Sequence, residues 1–71
     1  MDKREFTTKL GDQIRKLREQ NGLSQSELAR RCDKDRQHIE LIENGKTTCT
    51  SYTLYVISKA IDTDLNNLFD I

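Results

Sequence analysis

The stretch LSQSELARRCDKDRQHIELIENGK, residues 23–46, decides the fold. Ser24 can accept from free amides at the start of a helix, and Glu27, three residues on, can reach back to the Ser24 amide, which makes a capping box. Behind that start, Leu28, Ala29 and Cys32 are the inward residues of a short helix over about residues 25–32, because Asp33-Lys34-Asp35 brings turn and cap chemistry immediately afterwards. Asp35 can cap a second helix over about residues 36–44, with Ile39 and Ile42 inward. Asn44-Gly45 then stops it, since glycine enters the left-handed region at least cost. Helices of this length do not stand alone in water, so the pair must pack on other elements.

Upstream, Phe6, Leu10, Ile14 and Leu17 recur at helical intervals with charged residues between them. This predicts an amphipathic helix over about residues 6–20, closed by Asn21-Gly22. Gly11 inside it costs ~1 kcal/mol relative to Ala, so another helix is expected to approach closely there. Downstream, residues 46–51 lack apolar periodicity and read as a loop. Ser51 can cap a fourth helix carrying Leu54, Ile57 and Ile61, and Asp64 a last short one carrying Leu65, Leu68 and Phe69. Tyr52 to Ile57 is β-prone by composition but fits the helical period as well, so no strand is expected. The reading is an all-α, compact five-helix domain filling residues 1–71. The spacing of its second and third helices is that of a helix-turn-helix at about residues 25–44. Ala29 is its diagnostic position: a small side chain there lets the following helix approach, and branched Ile39 and Ile42 pin that helix to the core.

Composition bounds what such a domain can do. With 71 residues and 34% apolar side chains, the core is small and a buried multi-residue active site is not expected. Nothing in the first 30 residues resembles an apolar signal core, and Cys32 and Cys49, with one His (His38), form no C-x-x-C or zinc spacing. Two reduced thiols suit a cytoplasmic protein. There is no glycine-rich phosphate loop, no nucleophile with a plausible base and no paired metal-ligand set, so neither catalysis, a metal, a cofactor nor a small-molecule ligand is expected.

The segments LGDQIRKLREQNGLSQSELARRC, RQHIELIENGK, TLYVISKAI and LNNLF resemble the Cro and phage-repressor type helix-turn-helix family, also called the XRE family, over residues 10–69. The resemblance implies a lambda-repressor-like DNA-binding domain that acts as a homodimer on a short, roughly palindromic double-stranded DNA operator and controls transcription. It further implies that Arg36, Gln37 and Leu41 face base edges from the recognition helix, that Gln25 contacts a backbone phosphate, and that Asn44, Lys46, Thr48 and Ser51 form a phosphate-holding rim. Arg18 and Glu43 match a charge pair tying the first helix to the third. Chemically, Arg36 can read guanine with two hydrogen bonds, Gln37 can read adenine or donate to a phosphate, and Leu41 can press on a thymine methyl. Asp33 stands where the family usually has Gly, Lys34 where it has an apolar residue, Leu41 where it has a polar reader, and Cys49 where Pro is frequent.

The formal net charge is zero, but residues 1–36 hold ten Lys and Arg against seven Asp and Glu, and residues 37–71 hold two against five. Arg15, Arg30, Arg31, Arg36 and Lys46 belong to the half expected to face DNA; Asp62, Asp64 and Asp70 gather at the other end. Tyr52, Tyr55 and Val56, beside the core stripe of the fourth helix, are either edge-of-core packing or a dimer contact. With the chain ending just past the fifth helix, regulation is expected to work through concentration and dimerisation. Stand-alone members of this size include phage Cro-like repressors, restriction-modification controllers and antitoxin-like autoregulators. The competing reading is a protein-interaction module of the same fold without DNA binding, motivated by zero net charge and by Asp33 and Asp35 beside the recognition helix.

Overall fold

A computed structural model describes all 71 residues as five helices joined by short connections: α1 (Lys3–Gln20), α2 (Gln25–Arg31), α3 (Arg36–Glu43), α4 (Ser51–Ala60) and α5 (Leu65–Leu68). Four of the five starts are closed by a side chain. Asp2, Ser24, Asp35 and Thr50 accept hydrogen bonds from the amides of Glu5, Glu27, His38 and Thr53 respectively, which satisfies donors that the first helical turn leaves free. Ser51, expected as the α4 cap, is instead its first helical residue, because Thr50 takes the cap. Asp64 occupies the N-cap of α5 without a side-chain bond. The capping box at α2 is half formed: Ser24 accepts from Glu27, while the Glu27 carboxylate pairs with Arg30. That alternative partner is a full cation one turn along the same helix.

Four helices end alike, with a left-handed residue and two backward amide-to-carbonyl bonds. Gly22 and Gly45 provide it after α1 and α3, and Asp33 and Asp62, with φ of 56° and 61°, after α2 and α4. In each case the following amide returns to a carbonyl five residues back, as with Lys34 to Ala29 and Thr63 to Ser58. Asp tolerates this conformation better than most residues, so the missing turn glycine does not disturb the motif.

The core gathers Leu10, Ile14, Leu28, Ala29, Cys32, Ile39, Ile42, Leu54, Ile57, Ile61 and Leu68, each large aliphatic side chain contributing about 1.5–3 kcal/mol of burial. The inward face of α1 is Thr7, Leu10, Gly11, Ile14 and Arg18, rotated from the expected stripe. Phe6 is exposed and stacks on Phe69, which is also exposed rather than inward as expected, with ring centroids 6.4 Å apart, and Leu17 is half-buried against the core. Gly11 explains the rotation. A Cβ there would lie 2.5 Å from the Ile42 carbonyl oxygen and 2.6 Å from that of Glu43, so α1 turns its glycine to the end of α3 and carries Phe6 to the rim. The expected close approach at Gly11 is what the fold contains.

Candidate nucleic-acid interface

The geometry of α2 and α3 places the same short helix in two environments. Its inward residues Ile39 and Ile42 are almost completely buried, as is Ala29 on α2, which lets the two helices cross closely. Arg36, Gln37, Leu41 and Asn44 point to solvent, although Leu41, 45% exposed, gains nothing for stability by facing water. Arg36 is not idle. Its guanidinium donates to Glu40 Oε2 at 2.9 Å and to Gln25 Oε1 at 3.4 Å, so the outward face of α3 is partly pre-ordered. Glu40 went unnoticed in the sequence, although its i, i+4 spacing from Arg36 was the available signal.

Beneath that face lies an ionic node. Glu43 is buried and accepts from Arg18 Nε at 2.6 Å, from Arg18 Nη2 at 3.0 Å and from Gln25 Nε2 at 3.0 Å. Arg18 also donates to the Leu23 carbonyl oxygen at 2.8 Å, and Arg15 Nε stands 3.7 Å from the same carboxylate. The hydrogen bond to Glu43 raises the Arg18 pKa above its ordinary value, against the desolvation that would lower it. No buried side-chain polar atom lacks a partner. The expected Arg18 and Glu43 pair is thus present and larger than expected, since Gln25 and Arg15 join it.

The expected phosphate rim is only partly free. Gln25 is committed at both ends of its amide, to Glu43 and to Arg36, so it is not free in this structure to hold the phosphate expected of it. Asn44 accepts from Arg15 through Oδ1 at 2.9 Å, so its amide nitrogen remains available as a donor. Lys46, Thr48 and Ser51 are exposed and make no side-chain bond within the protein. Of the basic residues assigned to this half, Arg15 holds the Glu43 carbonyl, Arg30 pairs with Glu27 and Arg31 donates to the Ala60 carbonyl at 3.2 Å. They are parts of the scaffold before they are parts of any interface. No group of three or more His, Cys, Asp or Glu side chains is arranged to hold a metal, and no helix is long and apolar enough to cross a membrane.

The model of a helix-turn-helix family, HTH_3, matches residues 14–68. The chain belongs to this family. Its α2 and α3 are the two helices for which the family is named, and the domain is a DNA-binding transcriptional regulator. Among solved structures it is similar to the restriction-modification controller protein C.AhdI from Aeromonas hydrophila, with 29% identity, a TM-score of 0.93, and coverage of 97% of this chain and 100% of that one. A mutant of the restriction-modification controller C.Esp1396I superposes with a TM-score of 0.86 at 27% identity, over 93% of this chain and 88% of that one. The hypothetical transcription factor NHTF from Neisseria gives 0.85 at 25% identity, over 96% and 78%. No curated protein matches the chain in sequence.

Proposed function

We propose that this helix-turn-helix domain binds a short, roughly palindromic operator as a homodimer, lays α3 in the major groove, and does no chemistry. The observation that carries the reading is the split character of α3. Its buried side is locked by Ile39, Ile42 and Glu43, while Arg36, Gln37 and Leu41 stand exposed outside the core, on the helix that such a motif presents to the major groove. In the complex, Arg36 exchanges Glu40 for a guanine edge, Gln37 reads adenine or holds a phosphate, and Leu41 packs on a thymine methyl. Asn44, Lys46, Thr48 and Ser51 hold the backbone beside the groove, and Gln25 fixes the helix that carries the reading residues.

Tyr52 and Tyr55 are 72% and 49% exposed, which favours their use as the dimer contact over edge-of-core packing. A narrower role as a restriction-modification controller is supported by the likeness to C.AhdI over 97% of this chain and all of that one.

A salt titration and a selection of bound sequences from random duplex DNA test this together. Affinity that falls steeply with salt and an enriched sequence with two-fold symmetry are expected. Absence of DNA affinity at low salt would leave the protein-interaction reading, and a scattering mass that stays monomeric on DNA would remove the palindrome.

A further inference from the structure

Of the cationic side chains, Lys9, Arg15, Arg18, Arg30 and Arg36 sit in ion pairs with carboxylates. The other seven of the twelve have no such partner, and three of them, Lys3, Arg4 and Lys46, line one open cleft of about 510 Å³ between the first turn of α1 and the loop after α3, with no acidic residue in its wall. The cleft is built rather than incidental. The Thr7 hydroxyl donates to the Arg4 carbonyl at 3.1 Å or to the Gly45 carbonyl at 3.4 Å, which ties the two walls together. A Cβ on Gly45 would lie 2.9 Å from Thr8 Cα, so the helix stop packs directly on α1 and fixes how far Lys46 sits from Lys3 and Arg4.

Helix stability does not account for the two residues of α1. Lys3 and Arg4 occupy the first turn, where the macrodipole opposes cations and favours anions, and Asp2 already caps the amides. A positive helix end, three unpaired cations and the Thr48 hydroxyl together make a field suited to a phosphate oxyanion.

We propose that this cleft grips a phosphodiester of the DNA backbone flanking the half-site read by α3, so that the N-terminal turn of α1 is part of the DNA interface. DNA is favoured over a free anion as the source because Lys46 and Thr48 are shared with the rim beside the recognition helix, and the cleft is open enough for a continuous strand to pass. The inference rests on the DNA-binding reading above. It extends the contact surface to a helix outside the helix-turn-helix and lengthens the bound site beyond the base pairs that α3 reads.

The test compares the full chain with its Lys3→Gln/Arg4→Gln double variant on two duplexes: the selected operator with ten additional base pairs on each side, and the same operator trimmed to the selected positions. On the extended duplex the variant is expected to lower the slope of log affinity against log salt by about 0.9, which is about eightfold weaker binding at 0.1 M salt. On the trimmed duplex the two proteins are expected to bind alike. Its melting temperature should match or exceed the parent's, since two unfavourable first-turn charges are gone. An unchanged slope on the extended duplex, or an equal loss on both duplexes, overturns the flanking contact while leaving DNA binding by α3 intact. Inorganic pyrophosphate supplies the other arm, followed through the backbone amide signals: saturable shifts at Lys3 and Arg4 with an unchanged DNA slope would assign the cleft to a free anion and overturn the DNA source. A parent protein without DNA affinity would overturn the DNA-binding reading itself, and the cleft assignment with it.

Discussion

The two sides of α3 use the same kinds of residue for opposite ends. On the buried side Glu43 is held by Arg18, Gln25 and Arg15; on the exposed side Glu40 holds Arg36 and, through it, touches Gln25. Both are carboxylate and guanidinium pairs, and Gln25 joins them. The difference is solvent. A buried pair is expensive to break because the survivor remains desolvated and unpaired, whereas an exposed pair on a helix surface contributes only about 0.2–0.5 kcal/mol and exchanges readily with water or a ligand. One arrangement fixes where α3 lies; the other keeps Arg36 ordered and exchangeable.

The largest effect is expected from breaking the inner pair. Glu43→Ala should cost about 3–5 kcal/mol, seen as a large fall in melting temperature or loss of the folded state, because Arg18 is left buried with only the exposed Glu19 carboxylate, 4.0 Å away, as counter-charge. Replacing Arg18 and Glu43 together by apolar residues of similar volume should recover much of that loss, which separates the cost of an orphaned charge from the worth of the pair.

A step smaller, Gly11→Ala sharpens the same comparison by moving the anchor rather than the charge. The added methyl meets backbone carbonyl oxygens at 2.5 and 2.6 Å that cannot rotate away. Overpacking of about 1–3 kcal/mol then exceeds the gain of about 1 kcal/mol that Ala brings to a helix. Denaturant unfolding should show a lower midpoint, and a midpoint above the parent's would contradict the close approach.

On the outer side, Glu40→Gln is expected to change stability by no more than about 0.5 kcal/mol. If its melting temperature fell as far as that of Glu43→Ala, the two sides would not differ in the way described.

The smallest stability effect concerns the thiols, and only above neutral pH. Burial pushes the pKa of Cys32 and of Cys49 up, with the Lys34 charge opposing it. The fold therefore favours the protonated thiols; that contribution is fully present below the unfolded-state pKa and is lost as pH rises through the raised values. Alkylation by iodoacetamide at pH 8 should be slower in the native protein than in the denatured chain, and equal rates would remove the burial argument.

Helix existence and the helix-turn-helix spacing were legible because caps, stops and apolar periodicity all agreed over residues 23–46. The left-handed turn at Asp33 was legible too, since its place in the motif demanded it, whereas Asp62 lies where no motif pointed to it. Phe6 misled because periodicity alone cannot report which edge of a stripe meets a partner; Gly11 sets that rotation through a contact 31 residues away in the chain with Ile42. The Arg18 and Glu43 pair came from the family resemblance, but the roles of Gln25 and Arg15 in it depend on how three helices meet, which no local pattern encodes. The same holds for the cleft at Lys3, Arg4 and Lys46, whose walls are distant in sequence.

The central claim is that the outward face of α3 reads bases while its inward face only holds the helix in place. The most direct test is the affinity of Arg36→Ala for the selected operator, for the operator altered at each base pair in turn, and for random duplex, at fixed salt. A loss of about 1–3 kcal/mol on the operator, with preference flattened at one base pair per half-site and little change on random DNA, is the expected result. Equal weakening on operator and random DNA would contradict base reading by Arg36 and reduce it to one more phosphate contact.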